Sequence, residues 1–244
     1  MQLLSIGNSF SADGQRYVNG IARADRLTLN TFNLMIGGCT LERHYRNMLS
    51  EDRAYELGMN GKSTGFRTSI KEALLSQFWD VVTVQQFSGA SVNYDSYQPY
   101  LNELVAYIRR LSPKAKIVVH QTWAYCPDAK QINPNTRYAD QRDMFRDLKE
   151  AYDRAAQDIG AHKIIPSGAV FQELVAAGET VHRDLSHASL GLGRYALGLI
   201  WYAVLTGRDV TDNTYCDFDQ DVTPEQMELA KKCVKAVYEQ YYGK

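Results

Sequence analysis

Ser9 lies in the stretch Ile6-Gly7-Asn8-Ser9-Phe10-Ser11, where a short apolar run meets a turn and then a helical pattern. A small residue ahead of the serine lets the backbone turn tightly. Such a loop also opens a helix, so its N–H groups can face an anion. A serine there is a weak nucleophile until a base takes its proton. The plainer role for Ser9 is a helix cap, since Gly, Asn and Ser are common turn residues. A base is on offer in Asp184-Leu185-Ser186-His187. A carboxylate three residues before a histidine can hydrogen-bond its ring when the segment turns. That fixes the tautomer and leaves the far nitrogen free as a general base. The alternatives are a polar turn ahead of the next helix, or a metal site of His182, Asp184 and His187. No further His/Asp/Glu pattern supports the metal, so neither a metal nor another cofactor is expected.

Gly38, in Ile36-Gly37-Gly38-Cys39-Thr40, is a candidate backbone donor, because a glycine lets a substrate oxygen approach the main chain closely. Taken alone, it reads more readily as a plain turn glycine. Gln85 and Gln86 close an apolar run, and either amide can donate to an oxyanion or bond a neighbouring loop. Strand alternation points the two to opposite sides. Asn8 has the same two readings, as an oxyanion or substrate contact or as a loop anchor. Trp123 and Tyr125 are aromatics that can stack on a sugar ring, although core packing suits Trp123 as well.

These residues need elements to hold them. Residues 2–6 read as a first strand, and 15–26 as a helix with Tyr17, Val18, Ile21 and Ala22 on one face. Residues 27–34 alternate and end at Gly37-Gly38, a second strand. Residues 80–85 are β-branched and apolar, as in a strand covered on both faces. Residues 116–120 and 162–166 give a fourth and a fifth strand. Helices are expected at 68–78, 97–111, 138–159, 168–177, 190–207 and 223–242, with a polar loop over 128–135. The last helix opens with Thr223 as N-cap and Pro224 at the first helical position. Strands alternating with helices predict a three-layer α/β/α sandwich with about five parallel strands, as one domain over 1–244. Ligands in such sheets bind beyond the carboxyl ends of the strands. Ser9, Gly38, Gln85, Gln86 and Trp123 all fall at or just past such ends.

The 244 residues carry 27 basic and 28 acidic side chains, mixed along the chain. That balance gives no electrostatic reason to expect nucleic acid or an anionic membrane as a partner. No apolar run approaches the ~20 residues of a membrane span. The run 195–205 reads as a buried helix. Cys39, Cys126, Cys216 and Cys233 form no CxxC pair, so reduced thiols are expected. The first residues show no signal-peptide pattern, which predicts a cytoplasmic protein if Met1 is native.

Taken together, the segments resemble the SGNH (GDSL-like) hydrolases. The order is a serine in a first block (Gly7-Asn8-Ser9), a glycine in a second (Gly37-Gly38-Cys39), a polar strand end in a third (Val84-Gln85-Gln86), and Asp184-x-x-His187 near the end. The sequence is most similar to a bacterial branch of that superfamily opening with Gly-Asn-Ser-Phe-Ser. The resemblance implies a flavodoxin-like fold and a serine esterase with a Ser9, His187 and Asp184 triad. It implies an oxyanion hole from the N–H groups of Ser9 and Gly38 and an amide, with Gln85 slightly ahead of Gln86. It also implies a small-molecule or oligosaccharide ester as substrate, with O-acetyl groups on carbohydrate foremost. A lipid or thioester hydrolase, or a non-catalytic carbohydrate-binding or scaffold protein, are the alternatives. Two departures stand out. Gly-Asn-Ser replaces the usual Gly-Asp-Ser, and the usual third-block Gly-x-Asn-Asp is absent.

Overall fold

Strand β1 (Gln2–Gly7) is buried along almost its whole length, and its side chains divide between two cores. Leu3 joins Val81, Val118 and Ile165 on one side. Leu4 and Ile6 join Val82, Val84, Ile117 and Val119 on the other. Successive strand side chains point to opposite faces, so a sheet covered twice needs continuous apolar runs. The computed structural model describes residues 1–132 and 135–243. Residues 133 and 134 of the expected polar loop lie outside the described residues.

The remaining strands are β2 (Asn30–Met35), β3 (Tyr55–Met59), β4 (Lys62–Thr68), β5 (Val81–Val84), β6 (Lys116–Gln121) and β7 (Lys163–Pro166). Their order is β4-β3-β2-β1-β5-β6-β7. The pairs from β2 through β1, β5 and β6 to β7 are parallel. The five parallel strands thus follow the flavodoxin-like order, whose switch point lies between β1 and β5. One face carries α1 (Ser9–Gln15), α2 (Val18–Ala24), α7 (Ser167–Ala176), α8 (Leu192–Thr206) and α9 (Pro224–Tyr242). The other carries α3 (Leu41–Ser50), α4 (Ile70–Leu75), α5 (Tyr100–Leu111) and α6 (Gln141–Asp158). Thr223 caps α9 in a reciprocal capping box with Gln226, and Pro224 follows it.

The three-layer arrangement is the expected one, with three additions. The antiparallel hairpin β3-β4 extends the sheet beyond β2, and α3 leads into it. The edge strand β4 is largely exposed, so no apolar alternation marks it. Helix α3 buries only Leu41, His44 and Met48, a stripe too sparse to read among its charges. The helix expected over 15–26 is α2, and a further helix, α1, precedes it, starting at Ser9 itself. No helix among the described residues is long and apolar enough to cross a membrane.

Candidate active site

The turn after β1 is built around Asn8. Its backbone is extended, and its Oδ1 accepts the Phe10 N–H at 2.9 Å, capping α1. Ser9 is therefore the first helical residue, and its own N–H has no carbonyl of that helix to bond. Gly7 is required just before: a Cβ there would stand 2.3 Å from Ser11 Oγ. Asn8 Nδ2 donates to the Cys39 carbonyl at 3.2 Å, tying this turn to the loop that carries Gly38. That bond accounts for the asparagine. An aspartate at position 8 would set a carboxylate oxygen against the carbonyl. Gly38 has a φ of +61°, where a side chain is strained. It is exposed, and its N–H has no protein partner among the described residues. The Phe87 ring packs beside it, 3.7 Å from where a Cβ would stand.

His187 arrives from a loop that is closed on itself. The Arg183 N–H donates to the His187 carbonyl at 3.0 Å. Asp184 Oδ1 accepts the N–H groups of Ser186 (2.8 Å) and His187 (2.7 Å). Asp184 Oδ2 lies 2.9 Å from His187 Nδ1, and Ser9 Oγ lies 2.9 Å from His187 Nε2. Burial opposes the charge on Asp184. The two backbone N–H groups and the His187 ring outweigh it and hold the carboxyl well below its ordinary range. An ionised carboxylate can only accept, so Nδ1 carries the ring proton and Nε2 presents its lone pair to the Ser9 hydroxyl. Trp123 Nε1 donates to the Ser186 carbonyl at 2.8 Å. Its ring stacks on Phe10 at 4.2 Å, and Phe10 in turn meets the His187 ring edge-on at 5.6 Å.

A residue not singled out from the sequence joins the two segments. Asp13 sits one helical turn after Ser9 and is buried, with its side chain 2% exposed. It accepts from Arg183 Nη1 at 2.9 Å, Arg194 Nε at 2.9 Å and the Ala188 N–H at 3.2 Å. Arg183 and Ala188 flank the 184–187 turn on either side, and Arg194 anchors it to α8. Asp219 extends the cluster by bonding Arg194 and Arg16. The available signal was a lone carboxylate among the buried residues of an otherwise uncharged helix.

Other expected contacts are placed differently. Trp123 is fully buried, so it offers no face to a sugar; its large ring fills the core beneath the His187 loop. Tyr125 is half-buried, its hydroxyl 3.3 Å from Ser88 Oγ. The side-chain amides of Gln85 and Gln86 do point to opposite sides, but both are spent on protein partners. Gln85 Nε2 donates to Asn8 Oδ1 at 2.9 Å, and its Oε1 is 2.6 Å from His120 Nδ1. Gln86 Nε2 donates to Ser96, and its Oε1 accepts the N–H groups of Leu41 and Phe87. Each glutamine is at most 3% exposed, and Asn8 is 2% exposed. These amides brace the loops in this structure, whereas the sequence reading set Gln85 or Gln86 at the oxyanion and Asn8 against substrate. His182 donates its Nε2 proton to the Ala124 carbonyl at 3.1 Å.

The model of the domain of unknown function DUF4886 matches residues 2–237. A DUF4886 family protein from Bacteroides uniformis, known from its crystal structure, is 34% identical over 100% of this chain and 96% of that one, with a TM-score of 0.91. The chain belongs to the DUF4886 family. More distantly, this DUF4886 chain is similar to a candidate SGNH hydrolase from Slackia heliotrinireducens, at 21% identity and a TM-score of 0.57, covering 84% of this chain and 98% of that one. It is also similar to a member of the lipolytic G-D-S-L family from Veillonella parvula, at 14% identity and a TM-score of 0.50, covering 83% and 96%. The fold is that of the SGNH (GDSL-like) hydrolases, as the sequence resemblance implied. No curated protein matches the sequence.

Proposed function

We propose that this DUF4886 protein is a serine esterase acting on small acyl esters, with Ser9 as nucleophile, His187 as general base and Asp184 as its orienting partner. The observation that carries the reading is one contact. Ser9 Oγ and His187 Nε2, 178 positions apart in sequence, stand 2.9 Å from each other while Asp184 occupies the far ring nitrogen. This is the arrangement that lets a neutral imidazole take a hydroxyl proton.

The chemistry follows from the proton positions. The Ser9 hydroxyl gives its proton to His187 Nε2 as Oγ bonds the ester carbonyl carbon. The carbonyl oxygen becomes an oxyanion, which the N–H groups of Ser9 and Gly38 are free to stabilise. Collapse breaks the ester C–O bond, and the alcohol leaves with the proton from His187. Water then attacks the acyl-Ser9 carbonyl as His187 takes its proton; collapse breaks the acyl–Oγ bond, His187 returns the proton to Oγ, and the acid leaves.

The side chains of His187 and Asp184 are 30% and 49% exposed, so the site opens directly to solvent. An open site suits a short acyl group on a bulky alcohol. An O-acetyl group on carbohydrate is our choice of substrate, and it rests on the family resemblance. With Trp123 buried, Tyr125 and Phe87 are the aromatic side chains left to meet a sugar. Hydrolysis of a chromogenic acetate ester, with and without Ser9→Ala, tests the reaction. The expected result is acetate release that falls by several orders of magnitude in the variant. A folded Ser9→Ala protein with unchanged turnover overturns the mechanism.

A further inference from the structure

His120 is fully buried at the carboxyl end of β6, remote in sequence from the proposed triad. Its Nδ1 is 2.6 Å from Gln85 Oε1, and its Nε2 is 3.0 Å from Ser167 Oγ. Gln85 reaches on to Asn8, and Asn8 to the Cys39 carbonyl. The row runs along the carboxyl edge of the parallel strands, from the start of α7 to the loop after β2. Ser167 and His120 are 0% exposed, Gln85 3% and Asn8 2%.

The direction of every proton in this row is fixed from its Asn8 end. Asn8 faces a backbone donor, the Phe10 N–H, and a backbone acceptor, the Cys39 carbonyl. Neither can reverse, so Asn8 presents Oδ1 to Gln85. The end of Gln85 that meets Oδ1 must then be its NH₂, and its Oε1 must face the ring. An amide oxygen only accepts, so His120 Nδ1 bears the ring proton. Burial pushes the His120 pKa down to about 3, so the ring is neutral and Nε2 is left as an acceptor for the Ser167 hydroxyl. Ser167 thus donates to His120, His120 to Gln85, Gln85 to Asn8, and Asn8 to the loop of Gly38. Gly7 leaves room for the row: a Cβ there would stand 3.3 Å from Gln85 Oε1.

We propose that Ser167, His120 and Gln85 form a proton-ordered positioning relay that holds Asn8, and through it the Ser9 turn and the Gly38 loop, in register for catalysis. Asn8 is the only side chain of the row that touches both segments carrying the free N–H groups, and Gln85 is the side chain that holds its Oδ1 from below. The catalytic half of this inference rests on the esterase reading; the proton order does not.

The two halves are tested separately. On uniformly ¹⁵N-labelled protein at pH 7, histidine ring spectra should show His120 as the Nδ1–H tautomer, assigned by its loss in His120→Asn. An Nε2–H tautomer or a charged ring would overturn the relay, whatever the activity. Kinetics on a chromogenic acetate ester then compare His120→Asn with His120→Gln. Both remove the ring and lose similar packing. Asparagine can place an N–H where Nδ1 stood and still donate to Gln85; the glutamine amide sits where Nε2 stood and faces Ser167. Misplacing reacting groups by about 1 Å can cost ~10²-fold. His120→Gln should therefore lose roughly 10–100-fold in kcat with KM little changed, and His120→Asn under about fivefold. Melting temperatures should fall alike in both. Equal loss of kcat in the two, or loss in neither, overturns the positioning role. If the wild-type protein hydrolyses no ester while the tautomer is as assigned, the esterase reading fails and the proton order stands.

Discussion

Asp13→Asn isolates what joins the nucleophile to the base. The substitution keeps the shape of the side chain and one carbonyl acceptor but deletes a carboxylate that is 2% exposed. That carboxylate faces Arg183, Arg194 and the Ala188 N–H, all within 3.2 Å. Removing one partner of a buried ion pair costs about 3–5 kcal/mol, because the other charge stays behind. Here the arginines are 29% and 18% exposed. Arg194 also keeps Asp219, so the low end, about 3 kcal/mol, applies. At ~2–4 °C per kcal/mol for a chain of this size, the melting temperature should drop by roughly 6–12 °C. Turnover of a chromogenic ester should fall as well, measured well below the new melting point, because Asp13 links α1 to both sides of the His187 turn. Adding Arg183→Gln removes the stranded charge. That pair should recover part of the melting temperature and little of the turnover. A single variant that melts within about 1 °C of wild type with full kcat would refute the clamp.

Two further outcomes follow from buried groups. His44 and His120 are both held to a pKa of about 3 by burial, against 6.5 when unfolded. The folded state therefore binds fewer protons than the unfolded one. This stability is present above pH 6.5 and is lost as pH falls toward 3. Each histidine should cost about 2 kcal/mol by pH 5, so urea unfolding should find the protein roughly 4 kcal/mol weaker at pH 5 than at pH 7; equal stability at the two would contradict it. Trp123→Phe deletes the Nε1 donor to the Ser186 carbonyl and leaves a smaller ring on Phe10. Calorimetry should record a loss of about 2–3 kcal/mol, from a stranded carbonyl and a partial cavity, and an unchanged melting curve would count against Trp123 as a brace of the loop.

The five parallel strands were legible because both faces of the sheet are covered, so β1, β5 and β6 are written as mostly apolar runs with few polar interruptions. The hairpin β3-β4 was not, since an exposed edge strand with Gly65 at positive φ has no buried face to impose alternation. Ser9, Asp184 and His187 could be read because a Gly-x-Ser turn and an i, i+3 carboxylate–histidine pair are local patterns. Their meeting is not local. It depends on Asp13, Arg183 and Arg194, a contact set spanning 181 positions that no spacing announces. The glutamines show the opposite failure. Their place at a strand end was clear, but whether an amide faces substrate or braces a loop depends on partners contributed by His120, Ser96 and Asn8. Trp123 likewise sits at a strand end yet faces inward, under a loop whose course only the fold reveals.

The central claim, that Ser9 is an activated nucleophile, is tested most directly by covalent labelling. A fluorophosphonate reacts with a serine only when a base takes its proton. Intact-mass and peptide spectra of the treated protein should show one adduct, on Ser9, absent in Ser9→Ala and strongly slowed in His187→Ala. An adduct on another serine that abolishes ester hydrolysis, or full hydrolysis by protein whose Ser9 stays unlabelled, would contradict the account.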